Sequence, residues 1–132
     1  MSILAILFAP QSSRSAFDEQ MKYPVVWRIA YYEDSEPWKD VRVTLYEDGS
    51  ASLRDAPGGE IRASGKEKCV AASGELYSGD AKWASDDRGR IVVTYPGGNV
   101  LIIPRLGRFG TYDWHSVGQE LCDGNLVMFA TD

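Results

Sequence analysis

One histidine, two cysteines and nineteen carboxylates bound the chemistry open to this 132-residue chain. His115 stands between Asp113 and Ser116, the residue types of a hydrolase in which a base takes a hydroxyl proton and a carboxylate orients that base. The spacing works against it. In an extended strand Asp113 and His115 share one face and Ser116 takes the other, which keeps nucleophile and base apart. A surface His–Asp contact is the expected role, and a Cys–His pair assembled by the fold is the remaining nucleophilic arrangement. A single histidine excludes metal sites built on several imidazoles. The carboxylate pairs Glu33-Asp34 and Asp86-Asp87 lack the regular spacing of a calcium loop. Neither G-x-G-x-x-G nor G-x-x-x-x-G-K-[ST] occurs, so no phosphate-cradling loop is expected. The chain reads as a non-enzyme with no catalytic residue, no metal site and no cofactor.

Two sets of residues read as binding groups instead. The stretch from Tyr31 to Asp40 sets aromatic side chains among carboxylates in what should be a strand end and an exposed loop. Aromatic anchors ringed by polar groups concentrate binding energy at protein interfaces, and a carboxylate-rich loop steers a basic partner. Tyr32, Glu33, Asp34, Glu36, Trp38 and Asp40 are therefore the expected partner-binding residues. The expected function is a protein-binding module, in its most specific form an immunity-type inhibitor of a basic toxin. The blander alternative has Tyr31 and Trp38 plugging one end of the fold. The second set is Trp27, Trp83, Tyr95 and Trp114, which could line a pocket for a small apolar ligand in a closed barrel or simply fill the core. Phe109, Tyr112 and Trp114 read mainly as core.

These residues need elements to position them. The length suits a single domain, and 44% hydrophobic with 25% charged residues is an ordinary globular composition. A net charge of −5 without a basic run argues against nucleic acid. Val25, Trp27, Ile29 and Tyr31 alternate with polar positions, predicting a half-buried strand over 25–32. Val41, Val43 and Leu45 lead into Asp48-Gly49, whose positive-φ preference suits a tight hairpin, and Ala51 and Leu53 return from it. Further turn signals follow at Pro57–Gly59, Ser73-Gly74, Ser78-Gly79, Arg88-Gly89, Pro96–Gly98, Gly107–Gly110 and Asp123-Gly124. Between them lie short β-prone runs, at 81–84, 91–95, 100–103, 111–116 and 126–129. Short strands at such spacing predict an all-β domain, an antiparallel up-and-down barrel of about eight strands, with a sandwich as the alternative.

The order VTLYEDGSASLRD, GDAKW, IVVTYPGGNVLIIP and GNLVMFA, within residues 41–129, resembles small bacterial β-barrel proteins of lipocalin-like or avidin-like shape. The resemblance implies a barrel and carries no functional residue across. Ahead of it, Ser15 three residues before Asp18 predicts a short helix from Ser15 to Lys22, ended by Pro24. Ile3 to Ala9 is too short to span a bilayer. It reads as a buried first strand or as part of a signal or start-site segment, so that residues 1–20 are peripheral or processed. Met21 is an alternative start. Cys69 and Cys122 permit one disulfide or two buried free thiols. The compartment is accordingly open between cytoplasmic and exported, and the oligomeric state is not specified.

Overall fold

The computed structural model describes residues 17–31, 40–64, 67–86 and 88–131. It consists of one helical turn over 17–20 followed by eight strands. These are β1 (Val25–Tyr31), β2 (Arg42–Leu45), β3 (Ser50–Ser64), β4 (Glu67–Ser85), β5 (Ile91–Tyr95), β6 (Gly98–Leu106), β7 (Tyr112–Glu120) and β8 (Leu126–Thr131). Each strand pairs antiparallel with the next, and β8 pairs back onto β1 to close the barrel. The eight-strand antiparallel barrel expected from the spacing of the turns is the observed architecture. The alternation that predicted the strands also builds the interior. Trp27, Val43, Leu45, Ile91, Val93, Val117, Val127 and Phe129 all point inwards and are buried.

The Asp48-Gly49 turn forms as expected. Gly49 has φ +93°, and the Asp48 carboxylate accepts the N–H (2.9 Å) and the hydroxyl (2.6 Å) of Ser50. These bonds hold the Asp48 carboxyl below its ordinary pKa, the Ser50 hydroxyl contributing most.

Three other turn signals behave differently. Pro57–Gly59, Ser73-Gly74 and Ser78-Gly79 lie inside the long strands β3 and β4, where the register shifts between Leu53 and Ala56 and between Pro57 and Gly59. They are bulges, which insert residues and bend a strand without ending it. The bent β3–β4 hairpin meets β6 at Gly59–Asn99, a pairing additional to the meander. A Cβ on Gly59 would sit 1.9 Å from the Ala71 carbonyl oxygen, and one on Gly58 would sit 2.3 Å from the Tyr95 hydroxyl. Bare backbone is required at both positions.

In a meander alternate turns lie at the same end. The β2–β3, β4–β5 and β6–β7 turns therefore share one end of the barrel with the helical turn. The tip of the β3–β4 hairpin shares the other with the β5–β6 and β7–β8 turns.

Candidate functional site

At the first end the helical turn carries Phe17, fully buried beside exposed Asp18, Glu19 and Gln20. Its ring centroid lies 4.9 Å from Trp114, 5.6 Å from Trp83 and 6.1 Å from Trp27. The indole N–H groups are satisfied: Trp27 donates to the Trp114 carbonyl (2.8 Å) and Trp83 to the Tyr46 carbonyl (2.7 Å). Three of the four residues expected to line a ligand pocket thus converge on a phenylalanine that occupies the space among them. The fourth, Tyr95, is at the opposite end, stacked on Tyr77 with centroids 4.3 Å apart. Burial, and secondarily the neighbouring Tyr77, raises the Tyr95 pKa above its ordinary value.

That opposite end is closed by other means. Cys69 and Cys122 form a disulfide with Cα atoms 5.0 Å apart, which resolves the pair in favour of bridging. The bridge fixes β4 to the β7–β8 turn, beside a parallel contact of Val70 with Leu121 and a 2.9 Å bond from the Cys122 N–H to the Val70 carbonyl. Gln119 is fully buried. Its amide nitrogen donates to the Pro57 carbonyl (2.6 Å) and its oxygen accepts the Leu101 N–H (3.0 Å), so one side chain joins β3, β6 and β7. Nothing in the local sequence marks this glutamine; it follows apolar Val117 and Gly118 as any exposed polar residue could.

His115 is exposed, with Nδ1 3.2 Å from the Thr131 hydroxyl. The Asp113 carboxylate accepts the backbone N–H of His115, not its ring (2.9 Å), so the Ser–His–Asp relay is not assembled. Among the described residues no group of three or more His, Cys, Asp or Glu side chains is arranged to hold a metal ion, and no helix is long and apolar enough to cross a membrane.

Of the expected partner-binding residues, Tyr32, Glu33, Asp34, Glu36 and Trp38 lie outside the described residues. Asp40 is exposed in a turn ahead of β2.

The described surface offers a different apolar site. Of the aromatics near the β6–β7 connection, only Trp114 is core. Phe109 is 100% exposed, Leu106 66% and Tyr112 49%. The Leu106–Tyr112 pair ends the β6–β7 ladder, and the Gly107 N–H donates to the Thr111 carbonyl (2.7 Å) to close the connection. Within it, a 3₁₀ turn over Arg108–Gly110 holds Phe109 at φ 59°, ψ 28°, a left-handed conformation that an L-residue with a bulky side chain adopts at some cost. The base of this tip is fixed. The Gln20 side chain donates to the Tyr112 carbonyl (2.7 Å) and accepts the Trp114 N–H (3.1 Å). The clue in the sequence is the glycine on each side, at 107 and 110, which places Phe109 in a turn and not in an alternating strand.

Further along the same hairpin, a notch of about 230 Å³ opens on the outer face of β6, β7 and β8. Ile103, Gly118 and Met128 form one outward row across the three strands. Gly118 makes the floor: a Cβ there would lie 3.3 Å from both Leu126 Cδ1 and Met128 Sδ. Leu126 is 54% exposed, and Arg105 and Glu120 stand at the rim. No protein-family model, curated protein or solved structure matches this chain.

Proposed function

We propose that this barrel is a non-enzymatic module that binds a protein partner through the outer face of the β6–β7 hairpin. The observation that carries the reading is Phe109, left fully in solvent at the end of the barrel where Phe17, Trp27, Trp83 and Trp114 are buried. Exposed apolar surface with a polar rim marks protein–protein contact. Aromatic side chains are the kind of residue that dominates binding energy at interfaces, because they bring a large apolar surface on only two rotatable bonds. Leu106 and Tyr112 widen the anchor, and the Gly118 notch offers a socket for an apolar side chain of the partner.

Inhibition of a toxin by covering its working surface, the specific form expected from the Tyr32–Asp40 segment, is a case of the same function. Phe17, seated among Trp27, Trp83 and Trp114, supports outside binding over the small-ligand alternative. The Cys69–Cys122 bridge supports an oxidising compartment as the place of action.

The test is affinity capture from lysate and medium of the source cells, followed by titration of the purified partner. Leu106→Ser with Phe109→Ser is expected to weaken binding at least tenfold while leaving the circular dichroism and melting temperature of the barrel unchanged. Equal affinity of the two forms would overturn the assignment.

A further inference from the structure

The two sulfurs of the bridge are not equally placed. Cys69 is half-buried in β4, whereas Cys122 is exposed in the β7–β8 turn. That turn is held firmly. The Leu121 N–H donates to the Asn125 carbonyl (2.9 Å), the Gly124 N–H to the Leu121 carbonyl (3.0 Å), and the Asn125 N–H to the Asp123 carboxylate (2.9 Å). A cleft of about 260 Å³ opens beside the bridge, with both cysteines, Lys68, Glu120, Leu121 and Gly124 in its walls. A Cβ on Gly124 would meet nothing within 4 Å, so the turn stands clear on that side. Thiol–disulfide exchange depends on access to the sulfur under attack, and the more accessible sulfur is that of Cys122.

What the bridge holds down is the arm of the β3–β4 hairpin beyond Gly59, residues 60–64 and 67–72. Gly59 itself is paired with Asn99. Past that point the arm is tied by the bridge, by the bond from the Cys122 N–H to the Val70 carbonyl, and by Val70 buried beside Leu121, with Ile61 half-buried against the core. A cross-link spanning 53 residues removes much of the freedom such an arm would have without it. We propose that the bridge is a latch opened by a dithiol reductant, which attacks Cys122 in the folded protein and thereby frees the arm while the barrel stays closed. A thiolate of the reductant attacks Cys122 Sγ, the S–S bond breaks, and Cys69 leaves as a thiolate that takes a proton from water. The reductant's second thiol then displaces Cys122, which keeps that thiol's proton, and the reductant departs as a disulfide. Two electrons have passed from the dithiol to the bridge. Detachment bares Val70 and Leu121, now 0% and 2% exposed, next to Glu120 at the rim of the Gly118 notch. The latch does not depend on whether that notch docks a partner.

The point of attack is read with a thioredoxin-type dithiol protein whose second active-site cysteine is replaced by serine, which halts exchange at the mixed disulfide. Without denaturant, the adduct should form and map by peptide mass to Cys122. The unmodified reductant is then used to open the bridge fully, and the thiols are blocked with iodoacetamide. Trypsin should cut this material after Arg62 and Lys68 at least tenfold faster than the bridged protein, while the near-ultraviolet circular dichroism of the tryptophan cluster stays unchanged. The Cys69→Ser/Cys122→Ser form should match it, and blocking protein that is already folded keeps the test independent of how well that variant folds. An adduct on Cys69, or none until denaturant is added, would overturn the latch. So would cleavage that rises equally after Arg42 and Arg54, because the barrel would then have opened with the arm.

Discussion

The two ends of this barrel are sealed by different chemistries. At the first, Phe17 inserts among three indoles, and the contacts are dispersion, ring packing and area removed from water. At the second, the β3–β4 hairpin is held over the end by a disulfide, a buried glutamine and two glycines whose missing side chains let backbones and Tyr95 approach. The first closure is contributed by a residue only eight positions ahead of β1. The second joins segments far apart in the chain, Cys69 and Cys122 being 53 residues apart. Closing a barrel thus needs no particular chemistry, but the choice determines how each end fails: one by loss of packing, the other by reduction.

Substitutions that break one end at a time sharpen this difference. The largest effect belongs to Phe17→Ala, which leaves a void among Trp27, Trp83 and Trp114 and should cost about 3–5 kcal/mol of unfolding free energy in denaturant titration. An apolar dye should enter the opened end of this variant, and the tryptophan fluorescence should shift to the red. Next comes reduction of the bridge, or Cys69→Ser with Cys122→Ser, expected to cost about 2–4 kcal/mol. Hydrogen exchange should then quicken over residues 59–72 while β1 and the second half of β7 keep their protection. Uniform loss of protection across the barrel would show that the ends are not independent.

The smallest effect is at the β4–β5 turn. Burial of Asp86 disfavours its charge, but the N–H groups of Arg90 and Arg88 and the Arg90 guanidinium, 2.7 Å away, outweigh burial and hold the carboxyl below its ordinary value of 3.8. A lowered folded-state pKa contributes stability above the unfolded value and loses it as pH falls through the folded one. Asp86→Asn should therefore cost about 1 kcal/mol at pH 7, with the difference from wild type shrinking as pH drops below about 4. A difference that persists unchanged at pH 2 would contradict this assignment.

How far the molecule could be read from its sequence follows the same division. Local rules were sufficient for the β2–β3 hairpin, where Asp48-Gly49 sits between alternating apolar residues, and for the number of strands and their meander order. They failed over Pro57–Gly59, because the partners that turn these residues into a bulge are Ala71, Tyr95 and Asn99, none of them local. They also left the cysteine pairing open, since the geometry that brings Cys69 to Cys122 depends on that same bend. The candidate site was partly legible. Trp27, Trp83 and Trp114 do gather, but around a ring that comes from the helical turn, and Phe109, read with Tyr112 and Trp114 mainly as core, stands exposed in the Gly107–Gly110 turn.

On this reading the working surface of the protein is outside the barrel. Native mass spectrometry of the protein isolated with whatever it retains from its source cells tests it most directly. A second polypeptide is expected in stoichiometric amount, lost in the Leu106→Ser/Phe109→Ser form. A retained small apolar molecule, present equally in both forms and with no polypeptide, would contradict it.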